Sequence, residues 1–412
     1  MNLWGAETVS QFGSQITPVA VPLLAALTLD ATAFEMGLLA AASGLPLLVV
    51  GFVAGAWVDR LKRRPIMLAM DIGRAITLLA IPIAAVLDSL SIELLMAVSL
   101  LAGVQTVFFN AAYASILPVL VGRAQIADAN GKLYSSMSIS QVAGPALAGS
   151  LISLISAPAV LLIDAMTFLC SGWFITRISD KEAAPDLARR DRHFWREVRE
   201  GFQTLFASPI LRATTASSAT INLSGFLFLA VYVLYMTDDL GLSSTGVGLV
   251  YAAGGVGSLL GSISAHRLSQ AIGVGRTLLW SAVAFGTFGL AVPLAILVPD
   301  HALPLIVFAE FMQWMALVVF NVIRLSLRQA LTPDRLQGRV SASNQVIVGG
   351  MQPIGSFLGG VIGSLFGIHA ALIVGCAGMF LAAAWMWLSP TADLKEMPDP
   401  TLERPGTVPP AN

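Results

Sequence analysis

The chain has 412 residues, 56% of them hydrophobic and only 11% charged, with a formal net charge of −1. Soluble domains carry about a quarter charged residues, so this make-up excludes a water-soluble fold, and the near-neutral balance gives no sign of a nucleic-acid binder. A dozen helices of about 20 residues, matched to a hydrocarbon core roughly 30 Å thick, would use about 240 residues and leave short loops.

Twelve apolar segments follow in order: 3–27, 36–58, 66–87, 92–117, 133–155 and 159–177, then 213–236, 245–265, 277–298, 303–323, 340–365 and 370–389. Their lengths and frequent glycines predict an all-α membrane protein with twelve transmembrane helices. No basic stretch precedes the first segment, which is therefore expected to act as its own insertion signal. Between the sixth and seventh segments the chain turns polar. There Phe194, Val198, Phe202 and Leu205 stand at helical spacing against Arg196, Arg199 and Glu200, which predicts an amphipathic helix on the membrane surface. The predicted organisation is a six-helix bundle over 1–177, a cytoplasmic linker over 178–212, a second six-helix bundle over 213–389 and a disordered tail over 390–412 rich in proline and acidic residues.

Charge placement tests the helix count independently of hydropathy. Arg60, Lys62, Arg63, Arg64, Arg74, Arg123, Lys132, the cations from Arg177 to Arg212, Arg267, Arg276, Arg324, Arg328, Arg335, Arg339, Lys395 and Arg404 all fall on one side of the predicted bundle. The opposite loops carry Asp30, Glu35, Asp88, Glu93, Asp238, Asp239 and Asp300 with His301 and His369, and no lysine or arginine. Because cations accumulate in cytoplasmic loops, both termini and the central linker are expected in the cytoplasm.

The two halves repeat at an offset of a little over 200 residues. Gly51 and Gly55 answer Gly257 and Gly261, Phe109-Asn110 answers Phe320-Asn321, Gly131 answers Gly338, and Pro145 answers Pro353. Two six-helix halves related by an axis along the membrane normal, with the site between them near the midplane, is an arrangement of secondary transporters.

After the second segment the chain reads Gly55-Ala-Trp-Val-Asp59-Arg60-Leu-Lys62-Arg63-Arg64. This resembles motif A of the major facilitator superfamily through Gly55, Asp59, Arg60, Arg63 and Arg64, with Lys62 in place of the usual second glycine. A small residue at Gly55 would let the second span approach a neighbour, and Asp59 could form contacts that break on rocking; alternatively the arginines only set topology. In the second half Ala265-His266-Arg267 stands at the corresponding place, without the acid. Gly144-Pro145-Ala-Leu-Ala148-Gly149 is similar to motif C of the exporter branch, apart from Ala148, and is read as a helix-packing motif. Gly355, Gly359, Gly363 and Gly367 form a stripe read as a packing or rocking surface.

Longer stretches extend the likeness over nearly the whole chain. Ser10-Gln-Phe-Gly13-Ser, Ile163-Asp164-Ala-Met-Thr-Phe168, Phe194-Trp195 with Glu200-Gly201, and Leu331-Thr-Pro333-Asp334-Arg335-Leu-Gln-Gly338-Arg339 resemble the macrolide and enterobactin efflux branch of the superfamily. The resemblance implies the major facilitator fold, in two pseudo-symmetric six-helix bundles, and a bacterial inner-membrane exporter of drug-like or siderophore-like small molecules. It implies alternating access powered by the proton gradient, with no cofactor. The expected partners are a small-molecule substrate, membrane lipid and protons, with no nucleic acid, and the chain is expected to act as a monomer. A lipid or lysophospholipid flippase on the same fold and a non-transporting receptor are the alternatives.

Ionisable groups at depth are the natural candidates for coupling. Glu7, Glu310 and Asp164 are the proton-coupling candidates, whereas Asp71, three residues from Arg74, is read as half of an ion pair. Gln11, Gln15, Asn110, Asn222 and Asn344 are cavity candidates. An enzyme is not expected: His193, His266, His301 and His369 are scattered, Cys170 and Cys376 lie in apolar runs as packing residues, no metal-ligand spacing occurs, and no phosphate-cradling G-x-x-x-x-G-K-[ST] loop is present. Cysteines introduced at Arg63 and Asp300 are expected to react with an impermeant maleimide from opposite faces of the membrane. Labelling from the same face would break the even count.

Overall fold

A computed structural model describes residues 2–58, 61–121, 126–178 and 194–398, and helices are the only regular elements among them. The first half contains α1 (Asn2–Ser14), α2 (Thr17–Thr28), α3 (Ala33–Val58), α4 (Arg63–Val86), α5 (Ile92–Val121), α6 (Ile126–Ile155) and α7 (Ala157–Thr176). After α8 (Phe194–Ala207) come α9 (Pro209–Leu234), α10 (Ser244–Ile272), α11 (Val274–Leu294), α12 (Ala302–Leu331), α13 (Gln337–Phe366) and α14 (Ile368–Trp387). Among the described residues ten helices are long and apolar enough to cross a membrane; α1 with α2, and α6 with its apolar part Ile139–Ile155, complete the twelve spans.

Several helices run past their apolar segments on the side that carries the cations. α10 extends to Ile272 and α12 to Leu331, for hydropathy marks the hydrocarbon slab whereas intrahelical hydrogen bonding continues into polar sequence. The first span, expected as one helix, is broken between α1 and α2. Pro18 lacks a backbone donor and its ring would clash with the carbonyl four residues back, so the chain tightens through i to i+3 bonds from Gln15 N to Phe12 O (3.3 Å) and Ile16 N to Gly13 O (2.7 Å). At the far end of α9 a π turn, Tyr235–Asp239, again departs from the α ladder.

The halves meet along two antiparallel helix pairs, α3 with α13 and α6 with α10. On the acidic-loop side these pairs touch backbone to backbone. A Cβ on Gly360 would lie 2.8 Å from the Cα of Gly37, and one on Gly248 would lie 2.9 Å from the Cα of Gly149. Phe34 and Phe357 pack edge to face at 6.2 Å, and Thr245 Oγ1 donates to Ser153 Oγ at 3.1 Å. Toward the cation-bearing side the contact fades: Gly51 meets only Leu47 of its own helix, and Gly55 and Gly338 have nothing within 4 Å of an added Cβ. Among the described residues the halves touch at the acidic end, and their contact fades toward the basic end.

The Gly355, Gly359 and Gly363 stripe is a packing surface, one of its two expected roles: it faces α9 within its own half, on Leu223 O, Leu227 O and Val231, while Gly363 also meets Ala33 of the other half, as Gly350 and Gly360 meet Leu48 and Gly37. α8 docks on protein, with Gly201 against the Arg339 backbone, Leu205 fully buried and Glu200 paired with Arg339. The tail is not disordered from 390 onward. Pro390–Asp393 form a 3₁₀ turn, Thr391 is buried, and Leu394 O accepts from Gly275 N at 2.8 Å, so this segment caps the start of α11.

The repeat extends to backbone torsions at the tight turns. Gly367, between α13 and α14, has φ 90° and ψ 158°; Ser156, between α6 and α7, has φ 86° and ψ 153°. That region suits glycine and costs other residues about 1–3 kcal/mol. Ser156→Gly is expected to raise the unfolding temperature in detergent through a gain of about 1 kcal/mol, and Gly367→Ser to lower it. No response in either variant would mean the turns relax.

Candidate functional site

A buried ionic cluster lies inside the first half. Arg74 and Asp71 of α4 form an ion pair with side chains 5% and 0% exposed, as their spacing predicts. The guanidinium carbon lies 4.3 Å from the ring centre of Phe109 of α5 and 4.1 Å from that of Phe168 of α7, a cation–π contact on two sides. Glu7 and Asp164 are also within electrostatic reach of Arg74. Glu7, which has no basic neighbour in sequence, thus acquires one in space. Its Oε1 accepts from Gln11 Nε2 at 2.7 Å, while Oε2 is buried without a partner. Asp164 accepts from Thr17 through one oxygen and from Thr167 at 3.2 Å through the other. Thr17 opens α2, so Asp164 fastens the break in the first span. Gly13 faces the same point, where a Cβ would overlap Asp164 Oδ1 and Thr167 Oγ1.

The second half has a different solution. Glu310 of α12 is 2% exposed, and both its oxygens are held by neutral donors: Tyr232 OH of α9 at 3.0 Å and Trp314 Nε1 at 2.7 Å. Tyr251 of α10 stacks edge to face on Tyr232 at 6.3 Å, and the Trp314 ring covers Gly254 of α10. Among the described residues no cation pairs with Glu310. The carboxylate therefore ties α9 to α12 through hydrogen bonds alone, and α10 joins them by ring packing through Tyr251 and Gly254. Glu310 lies eight residues into α12, roughly 12 Å along its axis at 1.5 Å per residue.

The remaining candidates disperse. Asp59 and Arg60 lie outside the described residues. Arg64 donates from Nε to Ile175 O at 3.1 Å and from Nη2 to Thr176 O at 2.5 Å, capping α7. Arg63 begins α4 beside it, and Gly55, expected to permit a close approach, faces open space. Gly144 abuts Gln15 at the break in the first span, and Pro145 O and Gly149 abut Gly248 of the other half. Gln11 and Gln15 are thus engaged within the first half, and Asn222 donates to Ser218 O of its own helix at 3.0 Å. Asn344, read as a cavity residue, is instead buried and accepts from Thr215 at 3.3 Å. Asn110 alone of the five is exposed. A crevice of about 510 Å³ between α2, α6 and α10 opens at the acidic side, and none of these candidates lines it.

Sequence reasoning missed Tyr232 and the aromatic faces around Arg74, because pairings between distant spans leave no local pattern; the bond from Trp314 to Glu310, four residues apart on one helix, was a local signal. The intramembrane arginine itself was a legible signal. Removing one partner of a buried pair costs roughly 3–5 kcal/mol, so Arg74→Met is expected to lower the unfolding temperature sharply. Adding Asp71→Leu should recover much of that loss. A double variant as unstable as the single one would show that Glu7 and Asp164, rather than Asp71, depend on the cation.

The sequence profile of a transmembrane secretion effector family matches residues 1–405. The chain is 27% identical over 388 residues to the multidrug efflux pump Tap of Mycolicibacterium fortuitum, covering 90% of this chain and 92% of that one. It is 25% identical over 366 residues to the enterobactin exporter EntS of Escherichia coli, covering 87% and 84%. Its fold matches the crystal structure of a bacterial homologue of the iron transporter ferroportin in its inward-facing state, with a TM-score of 0.76 at 16% identity over 94% of this chain and 97% of that one. With this profile match over nearly its whole length, the chain belongs to the transmembrane secretion effector family of major facilitator superfamily transporters.

Proposed function

We propose that this transporter exports small molecules across the bacterial inner membrane by alternating access, and that Glu310 carries the coupling proton. The observation that carries the reading is a fully buried carboxylate held by two neutral donors and no counter-cation. Taking up a proton there cancels the charge without orphaning a buried cation. Protonating Asp71 would instead leave Arg74 without its partner, so that cluster serves as a fixed anchor for the break in the first span.

Protonation changes what Glu310 can accept. The ionised carboxylate takes hydrogen bonds from Tyr232 and Trp314, and these are the charge-assisted, stronger kind. Once neutral, one oxygen becomes a donor and the bond from α9 or from Trp314 weakens. The α9 to α12 contact is thereby loosened, which alters how the second half packs against the first. The basic side is assigned to the cytoplasm from its cations, so that end admits cargo from within the cell. Drug-like and siderophore-like compounds are the cargo classes, supported by Tap and EntS among the relatives. A monomer in lipid, with both termini cytoplasmic, completes the reading.

Purified protein in proteoliposomes, with a pH step across the membrane and a panel of dyes and antibiotics, tests this. Wild type should move at least one compound at a rate that follows the pH step, whereas Glu310→Gln should bind the same compound and move it at a rate indifferent to pH. A pH profile unchanged by Glu310→Gln dismisses the assignment. Binding without flux in wild type would favour the receptor alternative, and movement of lysophospholipid alone the flippase.

A further inference from the structure

The face of α12 that presents Glu310 continues toward the basic side. At 100° per residue, Glu310, Trp314, Leu317, Asn321, Arg324 and Arg328 share one stripe of the helix. At the level of Glu310 this face meets Tyr232 of α9. Further along, beyond that contact, it carries two arginines and an amide on the basic side of the molecule. Arg324 donates from Nη2 to Asn321 Oδ1 at 3.2 Å, and its Nε is buried without a partner. Arg328, one turn on, adds a second positive charge that acts on the first. Among the described residues neither arginine has a carboxylate partner.

The fold does not demand cations here. The internal repeat that aligns Phe109-Asn110 with Phe320-Asn321 places Tyr113 and Leu117 where Arg324 and Arg328 stand. Topology does not demand them either, because the flanking loop already supplies Arg335 and Arg339. Two guanidiniums one turn apart, both partly buried, repel each other, and a planar anion relieves the repulsion while accepting from both forks. The Asn321 carbonyl is used by Arg324, which leaves its amide hydrogens as further donors.

We infer that Asn321, Arg324 and Arg328 form an anion-binding subsite on the path from the basic side to Glu310, and that it takes the carboxylate, phenolate or phosphate group of an anionic cargo. The inference rests on the exporter reading for the word cargo, though not for the anion. A lipid headgroup presents the same chemistry, so the source has to be separated experimentally.

The full chain in phosphatidylcholine nanodiscs is titrated with carboxyfluorescein, an anionic dye, and with ethidium, a cationic one, while anisotropy is read. Carboxyfluorescein should bind, and more weakly as salt rises. Arg324→Gln and Arg328→Gln should each weaken that binding about tenfold, with Arg→Lys variants falling between, and ethidium should be indifferent to all of them. Elution volume and unfolding temperature confirm that each variant is folded, and the salt dependence in wild type stands even where a variant is not. Phosphatidylglycerol that displaces the dye from wild type assigns the subsite to a headgroup and overturns the cargo reading; lack of displacement supports it. Absence of salt-sensitive carboxyfluorescein binding, or binding unchanged in both folded Gln variants, overturns the subsite. If the dye binds through the arginines yet no compound is pumped in everted vesicles, the exporter reading fails and the subsite remains.

Discussion

Hydrocarbon offers no water to a stranded charge or an unpaired backbone group, so each must be satisfied inside the protein. This constraint shapes both halves. In the first, Arg74 collects Asp71, Glu7 and Asp164 and is sandwiched by two phenylalanines. In the second, Glu310 is met by the hydroxyl of Tyr232 and the indole of Trp314. The broken first span obeys the same rule, for the turn that Pro18 forces at residues 15–16 is held by Asp164 through Thr17.

Two halves with one architecture have therefore diverged in chemistry. The positions around Arg74 form a closed ionic system, whose members hold one another in place. Among the described residues the second half keeps an acid without a cation partner, and further along the same helix two arginines without a carboxylate partner. Charges of opposite sign on one helix face are costly to a fold.

Hydropathy made the spans legible, since it reports directly on the slab. The Asp71 to Arg74 pair was legible because its spacing lies within one helix. What was not legible depends on contact between spans. Asn344 turns into the bundle toward Thr215, and the glycine stripe on α13 faces α9, because helix rotation is set by neighbours rather than by composition. The break at residues 15–16 was signalled by Pro18 yet was hidden within an apolar run of ordinary length. The tail read as disordered from its prolines and acids, although Leu394 caps the donors of α11.

The seam between the halves is made of bare backbone at Gly37 with Gly360 and at Gly149 with Gly248. Side chains add one aromatic pair, Phe34 with Phe357, and one hydrogen bond, Thr245 to Ser153, and no ion pair across the seam is seen among the described residues. Shape rather than charge holds the closure, so a single methyl group at any of these four glycines would wedge it apart.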